Sequence, residues 1–327
     1  MPDPKRILVT GGAGYIGSHT TLQLRDAGYE VIVVDNLSRG HRDAVDPASL
    51  RVVDLLDTEG LVRVMEEAPI AAVIHFAAYI AVGESMKIPE VYFLNNVAGS
   101  LSLLTAMVRT GIKRLVFSST AAVYGMPERV PILETEPYAP VNAYGESKVM
   151  VEKMLDWFDQ IHGLRSICLR YFNAAGADPA GRSGERHEPE THLIPLLFRA
   201  VRTGVPVTLF GDDYATPDGT CIRDYIHVTD LAKAHILALE ALSAGAASAK
   251  YNAGTGHGFS VREVLKAVEK VTGKPVPYQM GPRREGDPPL LVADSGRLQR
   301  DLGWCPEFSD ILTTVSTGWQ WESKLSK

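Results

Sequence analysis

The chain has 327 residues, 45% of them apolar and 22% charged, enough to bury a large core divided between two domains or held in one with a sizeable extension. A formal net charge of −6 argues against a nucleic-acid surface, because such surfaces need clustered Lys and Arg to displace counterions. No run of roughly eighteen apolar residues occurs, and "MPDPKRILVT" enters a strand-like segment too early for a signal peptide, so no membrane partner and a cytoplasmic location are expected. Cys168, Cys221 and Cys305 lie far apart with no CxxC, which suggests neither a disulfide framework nor a zinc knuckle.

In chain order, "RILVT", "EVIVVD", "LRVVD", "AAVIHFA" and "RLVFSS" read as strands, and "YIGSHTTLQLRDAG", "TEGLVRVMEEA" and "VYFLNNVAGSLSLLTAMVRTG" as the helices between them. This alternation predicts an α/β chain with a Rossmann-like, doubly wound parallel sheet that binds ligands at the carboxyl ends of its strands. A helix opening at Tyr144 and the strand "RSICLRYF" continue the pattern up to the Gly, Pro and charge-rich stretch "NAAGADPAGRSGERHEPET", a boundary signal. The first domain is therefore placed at 1–174 and a smaller α/β C-terminal domain at 175–327, with the chain crossing back near 225–254. In the second domain, "LIPLLFRAVRTG" and "TDLAKAHILALEAL" read as helices, "GDDYATPDGTCIRDY" as a loop, and two more helical segments follow.

"VTGGAGYIGSH" joins the first strand to the first helix and carries Gly11, Gly14 and Gly17, with Gly12 also completing a GxGxxG. Glycines there permit a tight turn, close approach to a pyrophosphate, and tight packing of helix on strand, with the helix N-terminus favouring the anion. Asp35, eighteen residues after Gly17 at the end of the second strand, stands where a carboxylate accepts hydrogen bonds from an adenosine ribose and repels a 2′-phosphate. NAD is thus favoured over NADP, although Arg39 nearby could accept that phosphate. Asp54, closing the third strand, could reach the adenine or serve only as a cap.

In "NAYGESK", Tyr144 and Lys148 stand four residues apart at the start of a helix, so both point to one face. A phenol ionises at about pH 10, but a neighbouring ammonium and a bound nicotinamide cation would favour the phenolate and make Tyr144 a general base. Its substrate would then be an alcohol that loses a proton to Tyr144 and a hydride to NAD. Ser118, Ser119 and Thr120 reach the same sheet edge, and Thr120 is the hydroxyl expected to bridge substrate oxygen and Tyr144.

Together these residues resemble the extended short-chain dehydrogenase/reductase family. The likeness runs over nearly the whole chain, through "DNLSRG", "HFAA", "AVGES", "SSTAAVYG", "RYFNAAGA", "HLIP" and "YNAGTG", while "GTCIRDYIHVTDLA" with "RREGD" points to its nucleotide-sugar epimerase branch. The resemblance implies NAD-dependent interconversion of UDP-galactose and UDP-glucose: C4 is transiently oxidised, and the keto sugar turns over to take the hydride back on its other face. It adds Tyr15, Ile16, Asn36, Leu55, Phe76, Ala77, Ala78, Asn95 and Tyr171 to the cofactor residues, beside Ser118 and Lys148. To the UDP-hexose it assigns Ser119, Thr120, Asn173, His192, Leu193, Thr208, Phe210, Arg223, Arg284 and Asp287, with Leu291 gating the sugar pocket. It also implies a homodimer, formed by helices around Leu94 to Met107 and Met150 to Phe158 through residues such as Leu101, Leu104, Met154 and Phe158.

Two positions depart from that pattern: Ile80 replaces a lysine near the cofactor phosphates, and His192 replaces an asparagine at the diphosphate. A 4,6-dehydratase would need an acid and base just after Thr120, where Ala121 and Ala122 stand. A 4-epimerase of another UDP sugar, whether N-acetylhexosamine, pentose or uronate, stays open. A non-catalytic NAD-binding protein would typically lose Tyr144 or Lys148, and both are present. "ERHEPETH" gathers His187, Glu188, Glu190 and His192, but the spacing fits no helical zinc motif, Pro189 interrupts a helix, and the chemistry needs no metal, so none is expected. His75 and His227 are expected to be hydrogen-bonded structural histidines.

Overall fold

A computed structural model describes residues 5–284 and 287–325. In chain order the first half contains β1 (Arg6–Thr10), α1 (Tyr15–Asp26), β2 (Glu30–Asp35), β3 (Leu50–Val52), α2 (Thr58–Glu66), β4 (Ala72–His75), α3 (Val82–Ser85), α4 (Pro89–Tyr92), a π-helical turn over Phe93–Ala98, α5 (Gly99–Thr110), β5 (Arg114–Ser118), α6 (Ala143–His162) and β6 (Arg165–Tyr171). There follow β7 (Asn173–Ala175), α7 (Leu193–Thr203), β8 (Val207–Phe210), β9 (Ile222–His227), α8 (Val228–Ser243), β10 (Ala249–Ala253), β11 (Gly258–Ser260), α9 (Val261–Thr272), β12 (Tyr278–Gly281), β13 (Leu290–Leu291), α10 (Gly296–Leu302) and α11 (Ile311–Leu325).

Seven parallel strands form the main sheet in the order β10-β6-β5-β4-β1-β2-β3. Both faces are covered, as the near-continuous apolar strands require. Ile7 and Val9 enter the core shared with Leu231, Leu239 and Trp304, while Leu8 between them enters the core shared with Leu61, Met107 and Leu155. The strand order reverses between β1 and β4, and the crossovers leave on opposite faces there, opening a crevice at the carboxyl edge. The predicted doubly wound sheet is thus observed, with β10 returning to it from beyond the boundary.

The return is wider than the sequence suggested. Besides α8 and β10, Leu298 of α10 and the fully buried Trp304 pack into the first core. The second lobe holds short strands that the sequence reading passed over. The segment read as a loop contains β9, which pairs with β7, β11 and β13, while β8 pairs with β12. Arg223 and Asp224 inside β9 break the apolar pattern by which a strand is recognised. Among the described residues three helices rather than two follow, α9 to α11.

The continuous helical stretch Pro89–Thr110 is long and apolar enough to cross a membrane by length and composition, but half of its apolar window is buried inside the fold. Leu103, Leu104 and Met107 account for part of that burial. Leu104 is therefore core, whereas Leu101 faces outward.

Beneath α6 lies a buried ion pair, Arg170 Nη2 to Glu152 Oε2 at 2.7 Å, with both side chains almost wholly excluded from water. Glu152 also accepts from Ser119 Oγ (2.5 Å) and Tyr138 OH (2.7 Å), so its lone pairs are matched and its carboxyl stays below the usual range despite burial. Arg170→Met would strand that carboxylate in the core. We expect it to lower the unfolding free energy by about 3–5 kcal/mol, read from the midpoint of urea denaturation; an unchanged midpoint would deny the pair its structural role.

Candidate active site

At the nucleotide end, Gly11 adopts φ +70° and lies so close to β4 that a Cβ would meet Ala77 N at 2.5 Å. A Cβ on Gly17 would meet Gly11 O at 2.1 Å, so the first turn of α1 packs directly on the loop. Gly14 caps α1 with no side-chain hydrogen bond and no acid in the first turn, leaving a helix N-terminus suited to an anion. Asp35 is buried at the end of β2 and accepts from Ala13 N (3.0 Å) and Leu37 N (2.8 Å). Burial raises its pKa and these two donors oppose the rise.

Gly11, Phe76 and Ala77 thus meet at the switch point, with Ala78 next along the chain and Ile16 packed on the core behind. Asp54 accepts from Asn36 Nδ2 and Leu56 N, both at 2.8 Å, which makes it the anchor for Asn36. Leu55 is core, and Asn95 lies in the π-helical turn with its amide on Asn96 Oδ1 (2.9 Å). Tyr15 reaches across to the second lobe, donating to Gly176 O at 2.6 Å. Ile80 is exposed, and Arg39 nearby is paired with Glu84.

At the reacting end, Tyr144, Lys148 and Thr120 come together as the sequence predicted. Asn142 opens α6 by accepting from Gly145 N (2.8 Å), and Ser85 Oγ accepts from Tyr144 N (3.2 Å). Ser85 is a positioning contact that sequence reading missed; only its place in "AVGES" hinted at it. Lys148 Nζ donates to Ser118 O at 2.9 Å and lies 6.0 Å from the Tyr144 ring centroid. Tyr171 OH is 2.6 Å from Ser118 Oγ. Ser119, expected against the substrate, turns the other way: it is fully buried and its hydroxyl is given to Glu152.

The electrostatics differ from the sequence expectation. Burial pushes the Tyr144 phenol up to about 12, with the hydrogen bond from Thr120 opposing. Burial pulls Lys148 down to about 7, against the field of Glu152. The Tyr144 phenol is therefore held protonated, because burial outweighs the one group that opposes it and Lys148, itself drawn down to about 7, carries only part of a charge at neutral pH.

In the second lobe, Arg223 of β9 pairs with Asp287 and donates to Ile222 O (2.8 Å), and Leu291 lies beside Arg223 in the β13–β9 register. Arg284 sits over the Phe210 ring, 4.2 Å from its centroid. An open cleft of about 550 Å³ is lined by Tyr214, Arg283, Arg284 and Asp287, with Met126 across from them. Asn173 donates to Asp224 O (3.3 Å), Thr208 accepts from Gln279 (3.1 Å), and Leu193 packs into the lobe's core. Glu285 and Gly286 of "RREGD" lie outside the described residues.

Asp224 is a second anchor that sequence reading missed. Its buried carboxylate accepts from Thr255 N (2.9 Å), Gly256 N (3.1 Å) and Ala293 N (3.2 Å). His75 bridges Thr10 (2.7 Å) and Ser100 (2.9 Å), and His227 contacts Thr317 (3.0 Å); burial lowers both to about 3 and keeps them neutral. His192, expected at the diphosphate, caps α7 and pairs with Glu185 (2.8 Å) and Glu190 (3.1 Å). Burial would lower it, but the two carboxylates outweigh that and raise it to about 10.

A nucleotide-phosphate turn and a tyrosine–lysine–threonine cluster on one sheet edge define an NAD-dependent, short-chain dehydrogenase-like site. The chain belongs to the NAD-dependent epimerase/dehydratase family, whose model matches residues 7–254. It is 52% identical over 317 residues to a UDP-glucose 4-epimerase of Lacticaseibacillus casei, covering 96% of each chain. Among solved structures, a UDP-glucose 4-epimerase of Brucella ovis in complex with NAD matches with a TM-score of 0.94 and 47% identity, over 97% of this chain and 98% of that one. The UDP-glucose 4-epimerase of Bifidobacterium longum in complex with NAD+ and UDP matches with a TM-score of 0.91 and 39% identity, over 98% of each.

The Tyr144 environment is open to a direct check. In cofactor-free protein, the tyrosinate absorbance that Tyr144→Phe removes should appear only near pH 12, and NAD should move it to lower pH. Ionisation at the ordinary phenol value of about 10 without NAD would contradict the burial argument.

Proposed function

We propose that this chain interconverts UDP-galactose and UDP-glucose by transient oxidation at sugar C4. The observation that carries the reading is the joint placement of Tyr144, Lys148 and Thr120 at the mouth of the crevice beside the Gly11–Gly17 turn. NAD, when bound, would supply the hydride acceptor and donor for C4. The turn fits a pyrophosphate because no Cβ fits at Gly11 or Gly17, and Asp35 offers its carboxylate to the adenosine ribose.

Tyr144 takes the proton of the 4-OH and later restores it, with the Thr120 hydroxyl beside it favouring the phenolate. Lys148, fixed by Ser118 O, orients the nicotinamide ribose and supports the phenolate once the nicotinamide's positive charge is present. Arg223, Arg284 and Asp287 grip the diphosphate and uridine ribose, Phe210 packs on uracil, and Asn173, Leu193 and Thr208 line the same path. Holding the handle firmly leaves the hexose free to present either face. Leu291, intermediate in bulk, admits N-acetylated sugars poorly.

A homodimer is part of the same reading. Leu94, Leu101, Met150, Trp157 and Ile161 face solvent along the π-helical turn, α5 and α6, with Trp157 61% and Ile161 68% exposed, and apolar surface of that extent suits an interface. Met154 and Phe158 are half-buried against the chain's own core and contribute only their edges. Sedimentation velocity should give the mass of two chains and, for Leu101→Arg with Trp157→Arg, one. A single-chain mass for the wild type would reject the dimer.

The activity is tested by a proton NMR time course of purified protein with UDP-galactose and no added NAD. A UDP-galactose and UDP-glucose mixture should form, and Tyr144→Phe should slow it by at least about 10²–10⁴-fold while UDP still binds. No conversion even with added NAD would overturn the reading. In the same assay UDP-GalNAc should turn over slowly; complete inertness would reject the role given to Leu291.

A further inference from the structure

We propose that Glu185, His187, Glu190 and His192 form a structural site for a zinc-like divalent cation on the loop between β7 and α7. One donor atom from each lies within 4.8 Å of the others. The four residues form a closed ring in which imidazole and carboxylate alternate, Glu190 using one oxygen toward each histidine. His187 Nδ1 is 3.1 Å from Glu185 Oε1 and 3.7 Å from Glu190 Oε2; His192 Nδ1 is 2.8 Å from Glu185 Oε1 and 3.1 Å from Glu190 Oε1. Ligand bonds of about 2.0–2.2 Å in a tetrahedron put every pair of donors about 3.3–3.6 Å apart, so side-chain adjustments that draw the most distant donors together, already within 4.8 Å, would centre an ion.

Each Nδ1 carries at most one hydrogen, yet each faces two carboxylates, and the imidazole rings lie only 5.1 Å apart between centroids. A single cation would satisfy all four donors and balance the two negative charges. Coordination needs unprotonated Nδ1 atoms, so uptake would release protons to the buffer. Two imidazoles and two carboxylates suit zinc better than magnesium or calcium.

The backbone around the cluster is already held from outside. Trp321 Nε1 donates to Glu185 O (3.0 Å), His41 Nε2 contacts Arg186 O (2.8 Å), and Arg39 donates to Glu188 O (3.2 Å). The ring of Tyr15, from the first turn of α1, stands perpendicular to that of His187 with centroids 6.2 Å apart. The loop is thus fixed against the first lobe and α11 while its four side chains converge inward. The spacing fits no helical zinc motif, but a loop containing Pro189 needs no helix to bring the donors together. The ion would brace the loop and take no part in the redox chemistry.

The test uses tag-free full chain produced with zinc in the medium and dialysed. Elemental analysis should find about one zinc per chain, a cobalt-substituted sample should give the intense visible bands of four-coordinate cobalt, and chelation should lower the thermal midpoint. The double variant His187→Ala with Glu190→Gln should lose both metal signals; if it fails to fold, Glu190→Gln alone serves, and the wild-type measurement stands by itself. Wild-type protein without bound zinc, six-coordinate cobalt bands, or a folded variant that retains stoichiometric metal would each overturn the proposal.

Discussion

Much of the site rests on one buried charge pair. Glu152 stands two turns beyond Tyr144 and one beyond Lys148 on α6, and its carboxylate meets the Arg170 guanidinium from β6. Arg170 passes the connection on to Tyr124 OH (2.8 Å), which donates to Asn252 Oδ1 (2.6 Å) of β10. Catalytic helix, central sheet and returning strand are therefore tied through one hydrogen-bonded network. A pair with this little water costs desolvation that only full hydrogen bonding recovers, and here Ser119 and Tyr138 complete it.

The same pair sets the field at the reacting end. Glu152 favours the charged form of Lys148, which burial opposes. Burial keeps Tyr144 protonated, and the positive charge of the nicotinamide, when NAD is bound, would favour its phenolate. Chemistry is thereby coupled to cofactor occupancy, since a phenol held near 12 is a poor base at neutral pH.

The parts legible in the sequence were those fixed by local rules. Apolar runs at alternating periods gave the sheet and its helices, glycine spacing gave the phosphate turn, and the interval of four gave the Tyr144–Lys148 face. What escaped depends on contacts across long separations. The direction of the Ser119 hydroxyl is set by Glu152, 33 residues away. Asp224 reads as one more charged residue in a loop until Thr255, Gly256 and Ala293 bring their amides to it. The pKa of Tyr144 went the other way because sequence counts a neighbouring ammonium but not the water removed from both groups. The convergence of Glu185, His187, Glu190 and His192 was hidden by an irregular loop that no periodicity describes.

The return of α8 and β10 to the first sheet has a consequence for how such a chain can be divided. Cut at residue 175, the first half would expose the open hydrogen-bonding edge of β6, which β10 covers, and the apolar face of Ile7, Val9 and Val116, which Leu231 and Leu239 of α8 cover, an invitation to aggregation. The remainder would carry that strand and helix with nothing to rest on. The two lobes are thus inseparable as genetic modules: neither could have been borrowed alone, and changes to the sugar end must accumulate in segments that stay threaded through the cofactor end.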